Sequence, residues 1–292
     1  MPHLYNQYID EWLAIQDRAR ALPLGGLPPA TGVRVQDNAP RVLVLAPHPD
    51  DECITGALAL RLHRERGFRV SAVPVTLGSR VERQTARLEE MHQACHFLGF
   101  EVIPAWSHGL DGQIAIHPRT RDERPEAWAE AAAALGQIIA YHRPAVLVLP
   151  HAQDFHATHI GTHLLGLDAL RTLGPAFHCQ VVETEFWQPL AAPNLMLGCA
   201  PGDLADLVAA LSFHAGEVRR NPYHVSLPAW MADNVRRGSE LVGGQGAAAG
   251  PDPFATLYRL GAWTQGGLVP LPGHSRQIAI QDSLAPLFPL FP

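Results

Sequence analysis

Residues 42–52 of the chain read VLVLAPHPDDE, and this stretch decides the fold. Its first half is an apolar run without polar alternation, which is typical of a strand buried on both faces of a parallel sheet. From Ile54 to Gly67 apolar residues recur at helical spacing, which predicts a helix directly after the run. The polar half therefore lies on a strand-to-helix turn, where open α/β sheets bind their ligands.

The carboxylates of this turn also have a simpler interpretation. Negative charge is favoured at a helix N-terminus, so Asp50 and Glu52 could be capping residues only. Capping does not explain His48, or the two prolines that flank it and stiffen the turn. We therefore expect a functional site at this turn.

The composition limits the classes of function. The chain has 292 residues, 47% of them hydrophobic, which is ample for a large core, and its net charge of -6 suggests no nucleic-acid partner. No apolar run is long enough to span a membrane, and the first residues lack the features of a signal peptide, so we expect a cytoplasmic protein. Four cysteines without a C-x-x-C pair predict buried, reduced thiols. With 16 histidines present, any metal site is expected to use nitrogen and oxygen ligands.

Strand and helix patterns alternate up to residue 185, which predicts an α/β fold with a mostly parallel sheet and helices on both faces. The strands are predicted at 41–46, 69–76, 100–106, 145–149 and 178–185. The helices are predicted at 4–22, 51–66, 82–98, 125–142, 159–173, 203–219 and 228–242.

The two ends of the chain are expected to differ from this core. The amphipathic N-terminal helix should lie on the domain or on a neighbouring subunit, and a Pro/Gly-rich tail should wrap the surface with a short strand near 277–280. We expect one domain over 1–292, with the helix and linker at 1–40, the core at 41–263 and the tail at 264–292.

A second polar cluster, HAQDFHATH at residues 151–159, follows the fourth predicted strand. In a doubly wound sheet of strand order 3-2-1-4, strands one and four are neighbours, so the two clusters would meet at one crevice. Histidine and aspartate from two loops suit a metal. Catalytic zinc takes three such ligands and leaves the fourth position for water.

Two further histidine pairs and a dinucleotide site are alternatives to this interpretation. His92 and His96, like His159 and His163, are spaced four apart on a helix, but neither pair has the Glu of H-E-x-x-H, so ordinary surface or core histidines are the favoured interpretation of His92, His96 and His163. A dinucleotide site is excluded because the turn after the first strand has no glycine before Gly56.

The motifs of both clusters resemble those of a known family. Residues 47–52, PHPDDE, are similar to the A-H-P-D-D-E signature of the LmbE-like, or PIG-L, zinc-dependent de-N-acetylases. Residues 154–159, DFHATH, resemble the family's second motif, H-P-D-H. Weaker similarity extends over about residues 41–260, and its segments are RLEE at 87–90, GLDG at 109–112 and EFWQPL at 185–190.

The resemblance implies a Rossmann-like sheet and a Zn²⁺ cofactor. By position, His48, Asp51 and His159 would bind the zinc, and Asp50 would be the general base. His156 would stabilise or protonate the tetrahedral intermediate, as a charged group facing the oxyanion.

Further residues follow from the same resemblance. Arg87 and Asp111 would hold substrate hydroxyls, and Glu52 would support the site from a second layer. Thr158 departs from the family, because the second motif has an Asp there to orient the catalytic histidine. We expect Asp154 to take over that pairing and to sustain the charge of the histidine.

The implied function is removal of the acetyl group from the N-acetyl amide of a small N-acetylglucosaminyl-type compound. Two alternatives stay open. One is a zinc amidase that acts on another amide, such as a thiol conjugate or a natural product. The other is a metal-binding module without catalysis, in which Thr158 marks the loss of activity. Members of the family often form oligomers, so the resemblance also implies that this chain can form a homo-oligomer.

Overall fold

The computed structural model describes residues 3–30, 32–105, 114–271 and 275–289. Its strands are β1 (Arg41–Ala46), β2 (Arg69–Pro74), β3 (Glu101–Val102), β4 (Val146–Pro150), β5 (Cys179–Thr184), β6 (Leu195–Gly198), β7 (Ala255–Thr264), β8 (Gly267–Pro270) and β9 (Arg276–Ile278). Its helices are α1 (Leu4–Arg20), α2 (Asp51–Ile54), α3 (Ala57–Arg66), α4 (Val81–Leu98), α5 (Pro118–Glu123), α6 (Pro125–His142), α7 (Ala157–Thr172), α8 (Pro201–Ser212), α9 (Ala215–Val218) and α10 (Tyr223–Gly243).

The strands form one sheet in the order β3-β2-β1-β4-β5-β7-β6-β9, with β8 paired to β7. From β3 to β5 all neighbours are parallel, and β7 pairs antiparallel with both β5 and β6. The predicted order 3-2-1-4 is therefore confirmed, and β1 and β4 lie side by side at the switch point.

Helices cover both faces of the sheet, as the buried pattern of β1 predicts. Val42 and Val44 belong to a core shared with α3, α4 and α8. Leu43 and Leu45 point to the other face and join a core shared with α6 and α7. Because every side chain from Val42 to Ala46 is at most 1% exposed, β1 is the centre of the molecule.

The helix predicted over 51–66 is interrupted at Gly56, which has φ 85°. The hydroxyl of Tyr258 fills the break, because it donates to the carbonyl of Thr55 at 2.7 Å and accepts the amide of Leu58 at 3.1 Å. A buried hydroxyl thus satisfies the main-chain groups that a continuous helix would have paired. The short α2 is left at the site, separate from α3.

The second half of the chain differs most from prediction. The strands β6, β7 and β8 were not predicted, nor was α5. The short strand predicted near 277–280 forms as β9, and it joins the sheet beside β6. The helix predicted over 203–219 is two helices, α8 and α9, and the one predicted from 228 begins at Tyr223. Strand β3 is shorter than predicted, with two residues. β7 also runs across the expected boundary between core and tail at 263/264.

The N-terminal helix α1 forms as predicted, but none of its residues is buried. Leu4, Tyr5 and Tyr8 are each more than 60% exposed. All four cysteines are free and buried, as the sequence predicts. Within the described ranges we find no helix whose length and apolar character would let it cross a membrane.

Candidate active site

The two polar clusters meet where the sequence predicts. β1 and β4 pair in register from Val42 opposite Val146 to Val44 opposite Val148. The loops that follow them therefore leave the same edge of the sheet and open into a cleft of about 1340 Å³. The polar residues of both loops that line this cleft are His48, Asp50, Asp51, His156, Thr158 and His159.

Three of these side chains form a candidate metal centre. The ligand atoms of His48, Asp51 and His159 all lie within 4.8 Å of one another. Asp51 Oδ2 lies 3.2 Å from His48 Nδ1 and 3.4 Å from His159 Nε2. Two imidazoles and one carboxylate, facing an open cleft, are a donor set that fits a catalytic divalent ion.

Hydrogen bonds within its own loop orient the carboxylate of Asp51. Its carboxylate accepts the main-chain N–H of His48 at 2.9 Å, and its N–H points back to the carbonyl of His48 at 3.3 Å. Burial would raise the pKa of Asp51, but the neighbouring His159 and His48 outweigh it and bring that pKa below the usual value. The carboxylate is thus ionised, as a metal ligand must be.

Asp50 lies beside these three residues but in a different electrostatic setting. Burial raises its pKa well above the usual value, the charge of Asp51 raises it further, and Arg87, 3.5 Å from Oδ1, opposes the shift. A carboxyl group that lines a cleft and has a strongly shifted pKa is a candidate acid–base group. Its backbone, with φ 122° and ψ -29°, is in a region that costs a non-glycine residue about 1–3 kcal/mol.

The predicted pairing of Asp154 with the ring of His156 is found only as an electrostatic effect, in which the charge of Asp154 raises the pKa of His156. Asp154 instead accepts the main-chain N–H of His156 at 2.8 Å and that of Trp187 at 3.1 Å. Aspartate side chains commonly accept the main-chain N–H of the residue two positions later, which closes a local turn. In this loop the turn directs the carboxylate of Asp154 to the backbone. Its Oδ1 lies 3.7 Å from Nδ1 of His159. Asp154 therefore lies beside a candidate metal ligand, although the distance is too long for a hydrogen bond.

The expected charge on His156 is also not supported. Burial lowers the pKa of His156, and the nearby His48 and His159 lower it further, so the ring is favoured in its neutral form. Its Nδ1 accepts the main-chain N–H of Thr158 at 3.2 Å, which leaves the ring proton on Nε2. A neutral His156 can therefore still donate one hydrogen bond into the cleft.

Three other predicted residues have different outcomes. Arg87, on α4, donates to the carbonyl of Pro49 at 2.8 Å and lines the cleft, so its contact with substrate stays a prediction. Asp111 lies outside the described residues. Glu52 is 1% exposed and accepts the main-chain N–H of Asp50 at 2.9 Å, which agrees with a supporting place behind the site.

The histidine pairs with helical spacing behave as the ordinary interpretation expects. His92 and His96 lie on the exposed side of α4. His163 is buried and bonds the carbonyl of Pro150 at 2.9 Å. Among the described residues, no group that could hold a metal includes any of the three.

The structure also brings in residues that the sequence did not single out as site residues. The ring of Phe186 packs edge-to-face against the ring of His159, with 4.8 Å between the ring centroids. Trp187 lines the cleft, is 51% exposed and packs against Tyr223, with 5.6 Å between the ring centroids. His214, from a distant segment, bonds Glu52 behind the site at 2.7 Å. The EFWQPL similarity pointed to the first two, but no sequence spacing links His214 to residue 52.

The chain is similar to known proteins over the region that carries both polar clusters. The PIG-L family, described as GlcNAc-PI de-N-acetylase, matches residues 43–170. The 1D-myo-inositol 2-acetamido-2-deoxy-alpha-D-glucopyranoside deacetylase of Mycobacterium leprae (strain Br4923) is 29% identical over 171 residues, which are 50% of this chain and 55% of that protein. The chain thus spans about half the length of the curated relatives it matches.

Solved structures share the fold at low sequence identity. The N,N'-diacetylchitobiose deacetylase of Pyrococcus horikoshii superposes with a TM-score of 0.54 at 14% identity, covering 91% of this chain and 94% of its own. The 4-carboxy-2-hydroxymuconate hydratase of Pseudomonas putida KT2440 gives a TM-score of 0.56 at 18% identity, covering 76% and 95%. The fold is thus common to enzymes of different chemistry. The family match is more specific, because residues 43–170, which carry both polar clusters, are similar to the PIG-L family.

Proposed function

We propose that this protein is a metal-dependent hydrolase that removes the acetyl group from the N-acetyl amide of an N-acetylglucosaminyl-type compound. The observation that carries the proposal is the convergence of His48, Asp51 and His159 beside Asp50, within the region that matches the family. Because a neighbour of the same fold is a hydratase, the fold alone does not select deacetylation.

The metal is proposed to be zinc, held by the two imidazoles and the carboxylate of the candidate centre. Such an ion supplies a Lewis acid, which lowers the pKa of water and polarises an amide carbonyl. The ligand atoms already lie within 4.8 Å of one another. Asp154 and the edge of Phe186 would keep the ring of His159 in place.

The chain's own groups would then move the protons. Asp50 lies next to the ligand Asp51 and outside the ligand set, so its carboxylate can take a proton from the attacking water. Its raised pKa makes the resulting acid able to hold that proton and later deliver it to the leaving amine. The Nε2–H of a neutral His156 can donate to the oxygen that becomes negative in the transition state.

The cleft supports a substrate larger than one sugar. Its volume of about 1340 Å³ exceeds the roughly 300–1,000 Å³ of typical small-molecule sites. The exposed face of Trp187, next to Tyr223, offers an aromatic wall near the metal centre. Compounds in which N-acetylglucosamine is joined to a second group, as in the substrates named for the relatives, fit this shape.

Location and assembly belong to the same proposal. Four free, buried cysteines support a cytoplasmic location, where thiols stay reduced. The exposed apolar residues of α1 support a homo-oligomer.

The experiment is a substrate panel with zinc-loaded protein, in which the free amine and acetate are both measured. The panel contains N-acetylglucosaminyl-inositol, N,N'-diacetylchitobiose and, as other amides, N-acylated thiol conjugates. Equal amounts of amine and acetate from the sugars support the proposal. Release from the other amides alone would favour the different amidase, and stoichiometric metal without any hydrolysis would favour a binding module.

A further inference from the structure

The peptide group between Pro49 and Asp50 is held at both of its polar ends. Nη2 of Arg87 donates to the Pro49 carbonyl at 2.8 Å, and the N–H of Asp50 donates to Oε2 of Glu52 at 2.9 Å. The plane of this peptide sets where the side chain of Asp50 points. With φ at 122°, that direction is one a relaxed aspartate would leave.

Glu52 is itself fixed from behind by a residue that is remote in the sequence. Nε2 of His214 donates to its second oxygen, Oε1, at 2.7 Å. Glu52 is 1% exposed and His214 is completely buried, so water cannot replace either partner. His214 is held in turn by its main chain, because its N–H bonds Leu211 at 3.1 Å and its carbonyl accepts the N–H of Glu217 at 2.9 Å.

We propose that Glu52 and His214 form a buried brace that keeps Asp50 in its reactive orientation. Both are positioning residues, since neither lines the cleft, and they act only through the main chain of Asp50. The inference rests on the proposed function to the extent that Asp50 is the base of that reaction.

A second metal centre is the main alternative at this place. The ligand atoms of Glu52, Cys53 and His214 lie within 4.8 Å of one another. The direct 2.7 Å bond, however, already joins the carboxylate and the imidazole that would have to face a common ion. The geometry is that of a hydrogen-bonded pair, and it assigns the pair to the support of Asp50.

The loss of the brace should affect rate more than binding. Without the His214 donor, the Glu52 carboxylate can turn and release the Asp50 amide, and the backbone can relax from its positive φ. A displacement of about 1 Å at a reacting group can lower the rate by about 10²-fold. Substrate binding should change little, because neither Glu52 nor His214 lines the cleft.

The test compares His214→Leu with His214→Gln. Leucine fills similar space without a donor, whereas the side-chain amide of glutamine can donate from near the position of Nε2. His224→Leu is the matched control, because His224 is also buried and neither ring nitrogen has a partner among the described residues. We expect His214→Leu to lose about 10²-fold in kcat with KM and zinc content near wild type, and His214→Gln to recover most of the loss.

Crystal structures of wild type and His214→Leu provide a readout independent of activity. The brace predicts that Asp50 leaves positive φ in the variant. An Asp50 that stays in place, or equal kcat losses in the leucine variants of His214 and His224, would overturn the inference. If wild type hydrolyses nothing in the panel, the proposed function fails, and the position of Asp50 still decides the brace. If His214→Leu does not fold, His214→Ala with added imidazole replaces it, and no recovery of kcat would count against the brace.

Discussion

Replacement of Asp50 by asparagine separates chemistry from architecture at this site. The hydrogen bonds with Glu52 and Arg87 engage the main chain of the Pro49–Asp50 peptide, so Asp50→Asn leaves them intact. The variant removes only the charge of the side chain, which lies 3.5 Å from Arg87. The amide keeps the shape of the carboxylate but cannot accept a proton from water. Loss of a general base typically costs about 10²–10⁴ in rate, which corresponds to roughly 3–5 kcal/mol of transition-state stabilisation.

The assay is steady-state amine release at saturating sugar substrate, with zinc measured on the same sample. Asp203→Asn is the control, because it makes the same chemical change at a surface ion pair with Arg64. We expect stoichiometric zinc in both variants and a loss of kcat in Asp50→Asn only. A kcat for Asp50→Asn within about twofold of wild type would exclude Asp50 as the base, since general-base loss is far larger.

The same variant tests the electrostatics in chelator-treated protein. Since the folded pKa of Asp50 is raised, the folded state binds its proton more tightly than the unfolded state does. The stability that this contributes is present at low pH and is lost as pH rises above the unfolded value of about 3.9 towards the folded pKa. Asparagine does not titrate, so the variant does not lose stability in this way as pH rises. The Tm of Asp50→Asn minus the Tm of wild type should therefore increase from pH 4 to pH 7. A difference that does not change with pH would contradict the raised pKa.

Three further variants test the remaining roles. His159→Ala should lose the zinc, because one of three ligands is removed, and full occupancy by elemental analysis would refute the ligand set. His156→Ala should keep the zinc and lose about 10²–10³ in kcat, as expected for one oxyanion donor, and an unchanged kcat would remove that role. Asp154→Asn should weaken zinc binding by about 10–100-fold in a competition titration, because its carboxylate lies beside His159, and unaltered affinity with a shifted pH–rate profile would restore the pairing with His156.

The first half of the fold could be predicted because its rules are local. The run of residues 42–46 is buried on both faces, and short βα units with right-handed crossovers leave few topologies. The meeting of His48 and His159 followed from that topology alone. After residue 186 the alternation stops, and the antiparallel β7 inserts between β5 and β6, a pairing that no local pattern specifies.

The detailed chemistry of the site depended on three-dimensional contacts. The positive φ of Asp50 is stabilised by hydrogen bonds with Glu52 and Arg87. An aspartate at position 50 does not by itself predict this backbone conformation. The neutral form of His156 follows from its burial beside two other imidazoles. The direction of Asp154 could not be predicted because its carboxylate satisfies the backbone of its own loop, which spacing alone does not reveal.

The central claim is that one metal ion, held by His48, Asp51 and His159, enables deacetylation of an amino sugar. Its most direct test is acetate release from N-acetylglucosaminyl-inositol by chelator-treated protein during titration with Zn²⁺. The proposal predicts no release without metal and a rise in rate that stops at one equivalent of Zn²⁺ per chain. Tight binding of one equivalent without acetate release from this or the other N-acetylated sugars of the panel would contradict it.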